Sequence, residues 1–322
     1  MTLDFLTAAL GADMAAVDRV LRDNLSSDVA LIRQVAEYII AGGGKRLRPA
    51  VLLLAAQASG YSGTAHHVLA AVIEMIHTAT LLHDDVVDES DLRRGHATAN
   101  AAFGNAASVL VGDFLYSRAF QLMVGVQRMK VLAIVADATN LIAEGEVLQL
   151  MHTGDAELAE DAYFEVIRRK TAKLFEAAGR LGAILGDADP ALEDTLAAYG
   201  LQLGTAFQIM DDVLDYSGDA AAIGKNLGDD LAEGKMTLPL IRALAVATPA
   251  EAQLIRHAVG GGGLTDFRPV VATLERSGAL AYAREKAQGA SRAAIACLHA
   301  LPQSAAATNL LQLATFAADR SF

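Results

Sequence analysis

The chain has 322 residues, of which 53% are hydrophobic and 20% are charged, and its formal net charge is −12. This composition is typical of a globular protein with a large core, and the acidic balance argues against a nucleic-acid partner, which would require a basic face. A single cysteine, Cys297, excludes an intrachain disulfide framework and predicts a reducing, cytoplasmic environment.

Two long stretches without Asp, Glu, Lys or Arg, residues 49–73 and 293–318, have to be considered as membrane spans. Pro49 and the pair His66-His67 interrupt the first stretch, and Pro302 interrupts the second. Neither stretch contains about 20 predominantly apolar residues in a row, which a spanning helix requires. We therefore expect buried helices and no transmembrane segment. The basic region of a secretion signal is also missing from the N-terminus.

Apolar residues recur at helical spacing along the whole chain, and no stretch alternates apolar and polar residues as a strand would. No linker or internal repeat divides the chain, so we expect one all-α domain over residues 1–322. The predicted helices cover residues 3–24, 28–41, 50–59, 64–90, 105–124, 129–151, 157–186, 191–216, 235–247, 250–259, 268–277, 278–300 and 303–319.

A glycine-rich loop, residues 42–44, ends the second predicted helix and is followed by Lys45, Arg46 and Arg48. It is not a Walker A loop, because Lys45 precedes an arginine and not Ser or Thr. A helix-terminating loop with solvated basic residues is the plain alternative. The aspartate clusters described next make phosphate capture the better interpretation.

The predicted helix 64–90 ends in three aspartates, Asp84, Asp85 and Asp88. Residues i and i+4 share a helix face, so Asp84 and Asp88 project together while Asp85 lies about 100° around the helix. Close carboxylates raise one another's electrostatic cost, and a cation is therefore expected between them. Mg²⁺ fits, because it binds through one or two carboxylates and completes its coordination with water and phosphate oxygens.

Arg93 and Arg94 follow this cluster, and their planar side chains match phosphate groups. The Asp-Asp-x-x-Asp spacing then returns at Asp211, Asp212 and Asp215, after another apolar helix. A solvated acidic helix end would explain one such run, but it does not explain two. The aspartate clusters, the metal ion expected between them and the neighbouring arginines together indicate a bound diphosphate.

Lysines outside these clusters add to the predicted site. Lys170 and Thr171 lie in the middle of an apolar helix, and a buried lysine requires an anion. The glycine- and aspartate-rich segment from residue 217 to 235 contains Lys225 and Lys235. It is either a plain connector or a lid over the site, and its lysines favour a lid.

The order and spacing of these residues resemble those of the trans-polyprenyl diphosphate synthases. Within that family, the chain is most similar in pattern to the bacterial long-chain octaprenyl, solanesyl and decaprenyl enzymes, which make the side chain of respiratory quinones. The resemblance implies the isoprenoid synthase fold, a bundle of about 10–14 mostly antiparallel helices around a deep central cavity. It also implies a homodimer, for which the apolar helices at 105–151 would serve as an interface. The matching segments are residues 43–49, 81–88, 93–95, 112–115, 170–172, 208–215 and 225–226.

The resemblance implies a role for each site residue. Asp84 and Asp88, supported by Asp85, would hold two Mg²⁺ ions on one side of the allylic diphosphate, and the second cluster would help to hold a third. The residues that match positions binding isopentenyl diphosphate are Lys45, Arg48, His77 and Arg94. Those that match positions gripping the allylic diphosphate are Arg93, Lys170, Lys225 and Lys235. The oxygens of Thr171 and Gln208 would face the allylic carbon. Alone, His77 is typical of a core histidine and Lys170 of a snorkelling lysine.

The implied reaction is ionisation of the allylic diphosphate, attack by the double bond of isopentenyl diphosphate, and loss of a proton to the released pyrophosphate. The growing tail would run beside residues one and two turns before Asp84, namely Ile76, Ala79 and Thr80. Members of the family that stop early carry a bulky aromatic residue four or five positions before the first aspartate. The small side chains of Ala79 and Thr80 at these positions predict an open channel and a C40–C50 product. Candidates for its floor are Phe120, Leu122 and Met123.

Other functions share some of these features. A shorter-chain farnesyl or geranylgeranyl diphosphate synthase differs only in product length. A class I terpene cyclase carries Asn/Asp-x-x-Ser/Thr-x-x-x-Glu as its second metal motif, where this chain has Asp211 to Asp215. A non-catalytic partner subunit would lack one or both aspartate clusters. A helical scaffold with solvated acidic ends would not require paired aspartates and arginines at matching spacing.

Overall fold

The computed structural model describes residues 3–217 and 227–320, which form helices and one small hairpin. Fourteen of these helices have eight or more residues, and the predicted all-α class is confirmed. The helices are α1 (Asp4–Leu25), α2 (Ala30–Ala41), α3 (Leu47–Ala58), α4 (Ala65–Val87), α5 (Ala99–Phe103), α6 (Asn105–Val126), α7 (Met129–Met151), α8 (Glu160–Ile167), α9 (Lys173–Leu185), α10 (Pro190–Ser217), α11 (Asp229–Ala232), α12 (Leu238–Val246), α13 (Pro249–His257), α14 (Phe267–Arg276), α15 (Ala279–Cys297) and α16 (Ala305–Asp319).

The helix that carries the first aspartate cluster is shorter than predicted. It ends at Val87, and Asp88 is its C-cap, with a backbone N–H that donates to the Asp84 carbonyl at 2.8 Å. A hairpin of two-residue strands follows, β1 (Leu92–Arg93) and β2 (His96–Ala97). Arg94 and Gly95 form its turn with φ angles of 55° and 78°, the geometry of a tight hairpin turn. The sequence analysis did not predict this hairpin.

The predicted helix 157–186 is interrupted by a π-helical turn, Arg168–Ala172, between α8 and α9. A π turn contains one residue more than an α turn, and such turns occur frequently at functional sites. The turn lies against α7 at Gly145, where an added Cβ would be 2.7 Å from the Lys170 backbone nitrogen. Glycine at this position allows the two backbones to approach each other.

The main core is built around α3 and α4. Nearly all of α3 is buried, including the unbroken run Pro49–Ala56, so this helix has no solvated face. Helix α9 packs on α3 through Gly182, where a Cβ would lie 2.5 Å from the Ala55 Cβ and 2.6 Å from the Leu52 carbonyl oxygen. Two smaller apolar clusters contain residues of α8 and of α10 to α15, so α10 contributes to these clusters as well as to the main core.

Two of the described helices, α4 and α6, are long and apolar enough to cross a membrane by length and composition, each with a mean hydropathy of 1.3 over 18 residues. In α4, 61% of that window is buried, as in the core helix of a soluble protein. In α6 only 28% is buried, and Val109, Leu110 and Val124 are exposed. The apolar face of α6 therefore requires a covering other than the core of this chain.

Candidate active site

One cavity of about 470 Å³ brings both aspartate clusters together. Its wall is formed by the loop before α3 and by residues of α4, α7, α8, the π turn, α10 and the segment around α11, together with residue 320. The predicted site residues that line it are Lys45, Arg48, His77, Thr80, Asp84, Asp88, Arg93, Arg94, Lys170, Thr171, Gln208, Asp211, Asp212, Asp215 and Lys235. The clusters therefore face one shared space and not opposite sides of the molecule.

A few predicted residues lie elsewhere. Asp85 is buried beside the cavity and does not line it. Of the positions considered for product length, only Thr80 is in the cavity wall. Ile76, Ala79 and Met123 are fully buried in the core, and Phe120 and Leu122 are partly buried against it. Lys225 lies outside the described residues.

Each carboxylate of the first cluster contacts its own cation. The Lys235 Nζ lies 2.8 Å from Asp88 Oδ2, and the Lys170 Nζ lies 3.6 Å from Asp84 Oδ2. Asp85 Oδ1 accepts from Arg93, with Nη2 at 2.6 Å. Burial raises the pKa of Asp84, and the charge of Asp88 adds to the shift, while Lys170 opposes it. Two close, desolvated carboxylates remain costly even beside lysines, and a divalent cation would relieve that cost.

The second cluster combines an accessible aspartate and a buried one. Asp211 is half exposed, and its Oδ1 accepts from Arg320 Nη2 at 2.6 Å. Asp212 is buried and accepts from the Tyr163 hydroxyl at 2.6 Å and from the Gln208 amide at 2.8 Å. Burial raises its pKa well above the usual value, and the charge of Asp230 adds to this. Asp212 therefore fixes the orientation of Gln208.

A chain of hydrogen bonds connects this aspartate to the π turn. The Thr171 hydroxyl donates to Gln208 Oε1 at 2.8 Å, and both side chains line the cavity. Because Thr171 uses its only proton in this bond, the lone pairs of its oxygen remain available to the cavity. The π turn thus places an electron-rich oxygen at the wall.

Lys170 is held by two residues that the sequence analysis did not select. Its Nζ donates to Glu146 Oε2 at 2.5 Å and to Gln149 Oε1 at 2.6 Å. Burial raises the pKa of Glu146 to about 7, against the opposing charge of Lys170. The i, i+3 spacing of Glu146 and Gln149 places both on one face of α7, and this spacing was the available signal. Lys170 is therefore paired with a carboxylate of the protein itself, that of Glu146.

The glycine-rich loop and the hairpin form the basic side of the cavity. Arg94 donates to the Gly43 carbonyl, and a Cβ at Gly44 would lie 2.6 Å from the Arg94 Nη1. Burial, together with the positive charge of Arg320, lowers the pKa of Lys45 to about 8. Glycine at position 44, where φ is 151°, thus lets the loop and the arginine occupy the same corner.

Arg48 and His77 form a buried pair at this side. The Arg48 Nη1 lies 3.1 Å from His77 Nε2, and its guanidinium stacks over the Phe175 ring at 4.4 Å. Burial lowers the pKa of His77 well below 6.5, and the charge of Arg48 contributes, so the ring is neutral and its Nε2 is the acceptor. The Arg48 Nε is buried without a hydrogen-bond partner among the described residues. An anion in the cavity would satisfy such a donor.

The cavity wall contains eight basic and eight acidic side chains among the described residues. The polar wall residues that sequence reasoning did not select include Glu74, Glu146, Gln149, Tyr163, Asp230 and Arg320. Glu74 forms a buried ion pair with Arg46 at 2.7 Å and directly follows the charge-free stretch 49–73, which was a usable signal. Arg320 had no local signal, because its partner Asp211 is distant in sequence.

The donor atoms of the two clusters fit a hard divalent cation. They are carboxylate oxygens, and those of Asp84, Asp88, Asp211 and Asp215 reach the cavity. Such oxygens suit Mg²⁺, which retains positions for water and phosphate. An all-α bundle with two such clusters and a basic wall around one cavity belongs to the class of enzymes that act on diphosphate esters.

Comparison with known proteins identifies the family. The polyprenyl synthetase family profile matches residues 29–269. The chain is 52% identical to octaprenyl diphosphate synthase of Escherichia coli K12 over 321 residues, 99% of each chain. A polyprenyl synthase from Caulobacter crescentus, crystallised with calcium and isoprenyl diphosphate, superposes with a TM-score of 0.97 at 47% identity, over 100% of this chain and 98% of that one. A decaprenyl diphosphate synthase from Rhodobacter capsulatus superposes with a TM-score of 0.93 at 46% identity, over 99% of each chain.

The chain therefore belongs to the polyprenyl synthetase family. Within the family it is a prenyltransferase of the bacterial long-chain trans-polyprenyl type, and it has the isoprenoid synthase fold. The predictions of family, fold and enzyme class are confirmed.

Proposed function

We propose that this protein makes a C40–C50 trans-polyprenyl diphosphate by adding isopentenyl diphosphate units repeatedly to an allylic diphosphate, and that the product becomes a quinone side chain. One observation carries the proposal: two aspartate clusters and a basic wall line the same cavity. The relatives named octaprenyl and decaprenyl diphosphate synthase support this range of lengths.

In this proposal, the allylic diphosphate ionises at the side of the cavity that carries the two aspartate clusters. Asp84 on α4 and Asp88 at its C-cap, with Asp211 and Asp215 on α10, are the proposed ligands of about three Mg²⁺ ions, and the calcium in the Caulobacter relative supports a divalent metal. Bound Mg²⁺ would neutralise the charge that develops on the leaving diphosphate. Arg93 holds Asp85 and so anchors the end of α4, and Asp212 orients Gln208.

The lysines of the same side bind the allylic diphosphate. Lys170 and Lys235 each lie beside an aspartate of the first cluster, so they reach the oxygens of a diphosphate placed there. The proposed role of Lys225 in binding the allylic diphosphate rests only on the match of its sequence motif. The oxygens of Thr171 and Gln208 face the carbon that becomes positive, and the surrounding wall limits access of water.

The basic side binds isopentenyl diphosphate. Lys45, Arg48 and Arg94 converge on the cavity, and the free Nε of buried Arg48 is suited to an anion. His77 is neutral and positions Arg48, because its Nε2 accepts from that guanidinium. The double bond then attacks the allylic carbon, and the proton lost from the new chain passes to the released pyrophosphate.

The protein acts, in our proposal, as a cytoplasmic homodimer with one catalytic domain per chain. Exposed apolar side chains on α6 and α7 would form the dimer interface. They are Val109, Leu110, Val124, Met129, Val147, Leu150 and Met151. Contact with a membrane would be transient, at product release. Nucleic acid is not an expected partner.

Product analysis tests the proposed function. Purified protein is incubated with farnesyl diphosphate, labelled isopentenyl diphosphate and Mg²⁺, and the dephosphorylated products are separated by reversed-phase chromatography. We expect all-trans C40–C50 alcohols and one pyrophosphate per unit added. In Thr80→Phe, the bulky ring in the cavity wall should shorten the product. A wild-type product that stops at C20 would contradict the long-chain assignment, and a cyclic hydrocarbon would indicate a terpene cyclase.

A further inference from the structure

A second group of potential metal ligands lies at the opposite end of α4 from the active site. Asp13 projects from α1, and His66 and His67 lie in the first turn of α4. The His67 Nε2 is 2.8 Å from Asp13 Oδ1, and the His66 Nε2 is 3.6 Å from the same oxygen. The ligand atoms of all three residues lie within 4.8 Å of one another. Two imidazoles and a carboxylate thus converge on one point.

The surroundings of the group hold it in place. Gln57, at the end of α3, donates to Asp13 Oδ2 at 2.9 Å and so orients the carboxylate. The two imidazole rings lie side by side, with centroids 3.9 Å apart and an angle of 35° between their planes. Tyr61 packs edge-on against His66 at 5.4 Å. The ligands therefore come from two helices and are supported from a third.

His66 is the most buried member of the group. It is only 8% exposed, and its Nδ1 is buried without a hydrogen-bond partner among the described residues. Asp13 Oδ1 is hydrogen-bonded to His67, and the His66 Nε2 lies beyond hydrogen-bond distance of it, at 3.6 Å. A metal ion between the three side chains would bind the His66 Nε2 together with the carboxylate.

We propose that Asp13, His66 and His67 bind one zinc ion. Two imidazole nitrogens and one carboxylate oxygen are a common zinc ligand set, and a water molecule would complete the tetrahedron. At bond lengths of about 2.0–2.1 Å, tetrahedral ligands are roughly 3.3 Å apart. The observed separations of 2.8 and 3.6 Å bracket that value, so small side-chain movements suffice.

The site is accessible and is separate from the catalytic metals. The side chains of Asp13 and His67 are 25% and 18% exposed, so an ion can reach them from solvent. His66 and Asp84 are 18 residues apart on α4, which corresponds to about 27 Å along the helix. The zinc ion links α1 to α4 and stabilises the docking of the N-terminal helix without taking part in prenyl transfer.

Cobalt spectroscopy tests the site directly. Chelator-treated, tag-free protein is titrated with Co²⁺ in the presence of excess Mg²⁺, which occupies the aspartate clusters. Tetrahedral Co²⁺ with nitrogen ligands absorbs strongly between about 500 and 650 nm, whereas octahedral Co²⁺ on oxygen ligands absorbs weakly. We expect one strongly absorbing equivalent per chain, displaced by Zn²⁺, and a melting temperature that rises with Zn²⁺.

Matched variants assign the signal. His67→Ala and Asp13→Asn should lose the strong absorption and the zinc-dependent rise in melting temperature, with helical content and prenyl transfer in Mg²⁺ unchanged. His299→Ala, at an exposed histidine, should retain both, as should Asp84→Ala. The proposal is overturned if wild-type protein shows no tetrahedral band, or if the band persists in His67→Ala and Asp13→Asn. Loss of the band in Asp84→Ala instead would assign it to the active site.

Discussion

Among single residues, Lys45 links pH to substrate binding. Burial lowers its pKa to about 8, so the free enzyme loses this positive charge as the pH rises through 8. We expect kcat/KM for isopentenyl diphosphate to fall about tenfold by pH 9, because this parameter reports ionisations of the free enzyme. Lys45→Arg should stay nearly flat over the same range, since guanidinium remains charged. The same loss of activity in both proteins would assign the ionisation to another group.

The effect of Lys45 on folding has the opposite sign. Its pKa is lower in the folded protein than the usual 10.5, so folding disfavours the protonated side chain. This destabilisation is complete below pH 8 and disappears as the pH approaches 10.5. Raising the pH through this range should therefore weaken the binding of isopentenyl diphosphate and stabilise the folded protein.

Asp84 is the residue whose loss should affect catalysis most. Asp84→Ala removes a proposed metal ligand beside Lys170, and we expect turnover to fall by at least about 10³-fold, because the lost interaction acts on the developing charge of the leaving group. Folding should be preserved, since the substitution also removes a buried carboxylate whose pKa is raised. Steady-state assays and thermal unfolding check both points. Asp161→Asn, at an exposed position on α8, is the control and should retain full activity.

Tyr163 illustrates a structural role inside the site. Its hydroxyl donates to buried Asp212, and Tyr163→Phe would leave that oxygen without its donor. We expect a loss of about 1–3 kcal/mol in the free energy of unfolding, measured in urea. Tyr282→Phe removes a comparable bond to the more exposed Glu160 and should cost less than about 0.5 kcal/mol. Equal losses in the two variants would contradict the buried network.

The residues found from sequence were those that repeat or cluster. Asp84 and Asp211 were visible because their spacing recurs, and Arg94 because it forms a basic pair. Tyr163 and Arg320 act through partners 49 and 109 residues away, and no local pattern records such pairings. Sequence reasoning therefore missed supporting residues whose partners are distant in the chain.

Among the helices, the contact of α9 with α3 depends on glycine. Gly182→Ala would push a methyl group against the Leu52 carbonyl and Ala55, and the backbone cannot yield easily. We expect a destabilisation of about 1–3 kcal/mol from overpacking. Gly11→Ala in α1 meets nothing within 4 Å and should stabilise the protein by up to about 1 kcal/mol. Urea unfolding of both variants gives the comparison, and a neutral Gly182→Ala would show that the helices can separate.

Helix positions could be predicted, but helix ends and irregular turns could not. Apolar periodicity found α4 and α10, because a buried stripe must repeat every 3.6 residues. The same periodicity continued through Arg168–Ala172 and concealed the π turn, which depends on the close approach of Gly145 from α7. The hairpin at residues 92–97 was missed because two-residue strands are too short to show alternation.

For the whole molecule, the proposed dimer can be tested at the exposed apolar side chains of α6. Leu110 and Val124 on α6 are 65% and 61% exposed, and they belong to the proposed dimer interface. Leu110→Asp should produce a monomer, because an unpaired carboxylate would be buried at the contact. Sedimentation velocity measures the change. Leu311→Asp, on α16, places the same charge at another exposed leucine and should leave the dimer intact. A monomeric wild-type protein would refute the interface.

The charge distribution of the molecule also follows from the cavity. The chain carries a net charge of −12, yet eight of its basic residues line the cavity among an equal number of acids. The motifs predicted that the basic residues of the glycine loop, the Arg93-Arg94 pair and Lys235 share one site, and the cavity brings them together. The net charge of the chain gave no indication of this basic side.

The π turn places two side chains at the cavity wall without disturbing the packing of the helices on either side of it. Arg168–Ala172 contains one residue beyond what a regular helix needs, while α8 and α9 pack normally on either side of it. We expect that shortening this segment by one residue would restore a continuous α-helix and would turn Lys170 and Thr171 away from the cavity wall. Such a protein should keep its helical content and lose prenyl transfer, and it would then serve as a folded but inactive reference.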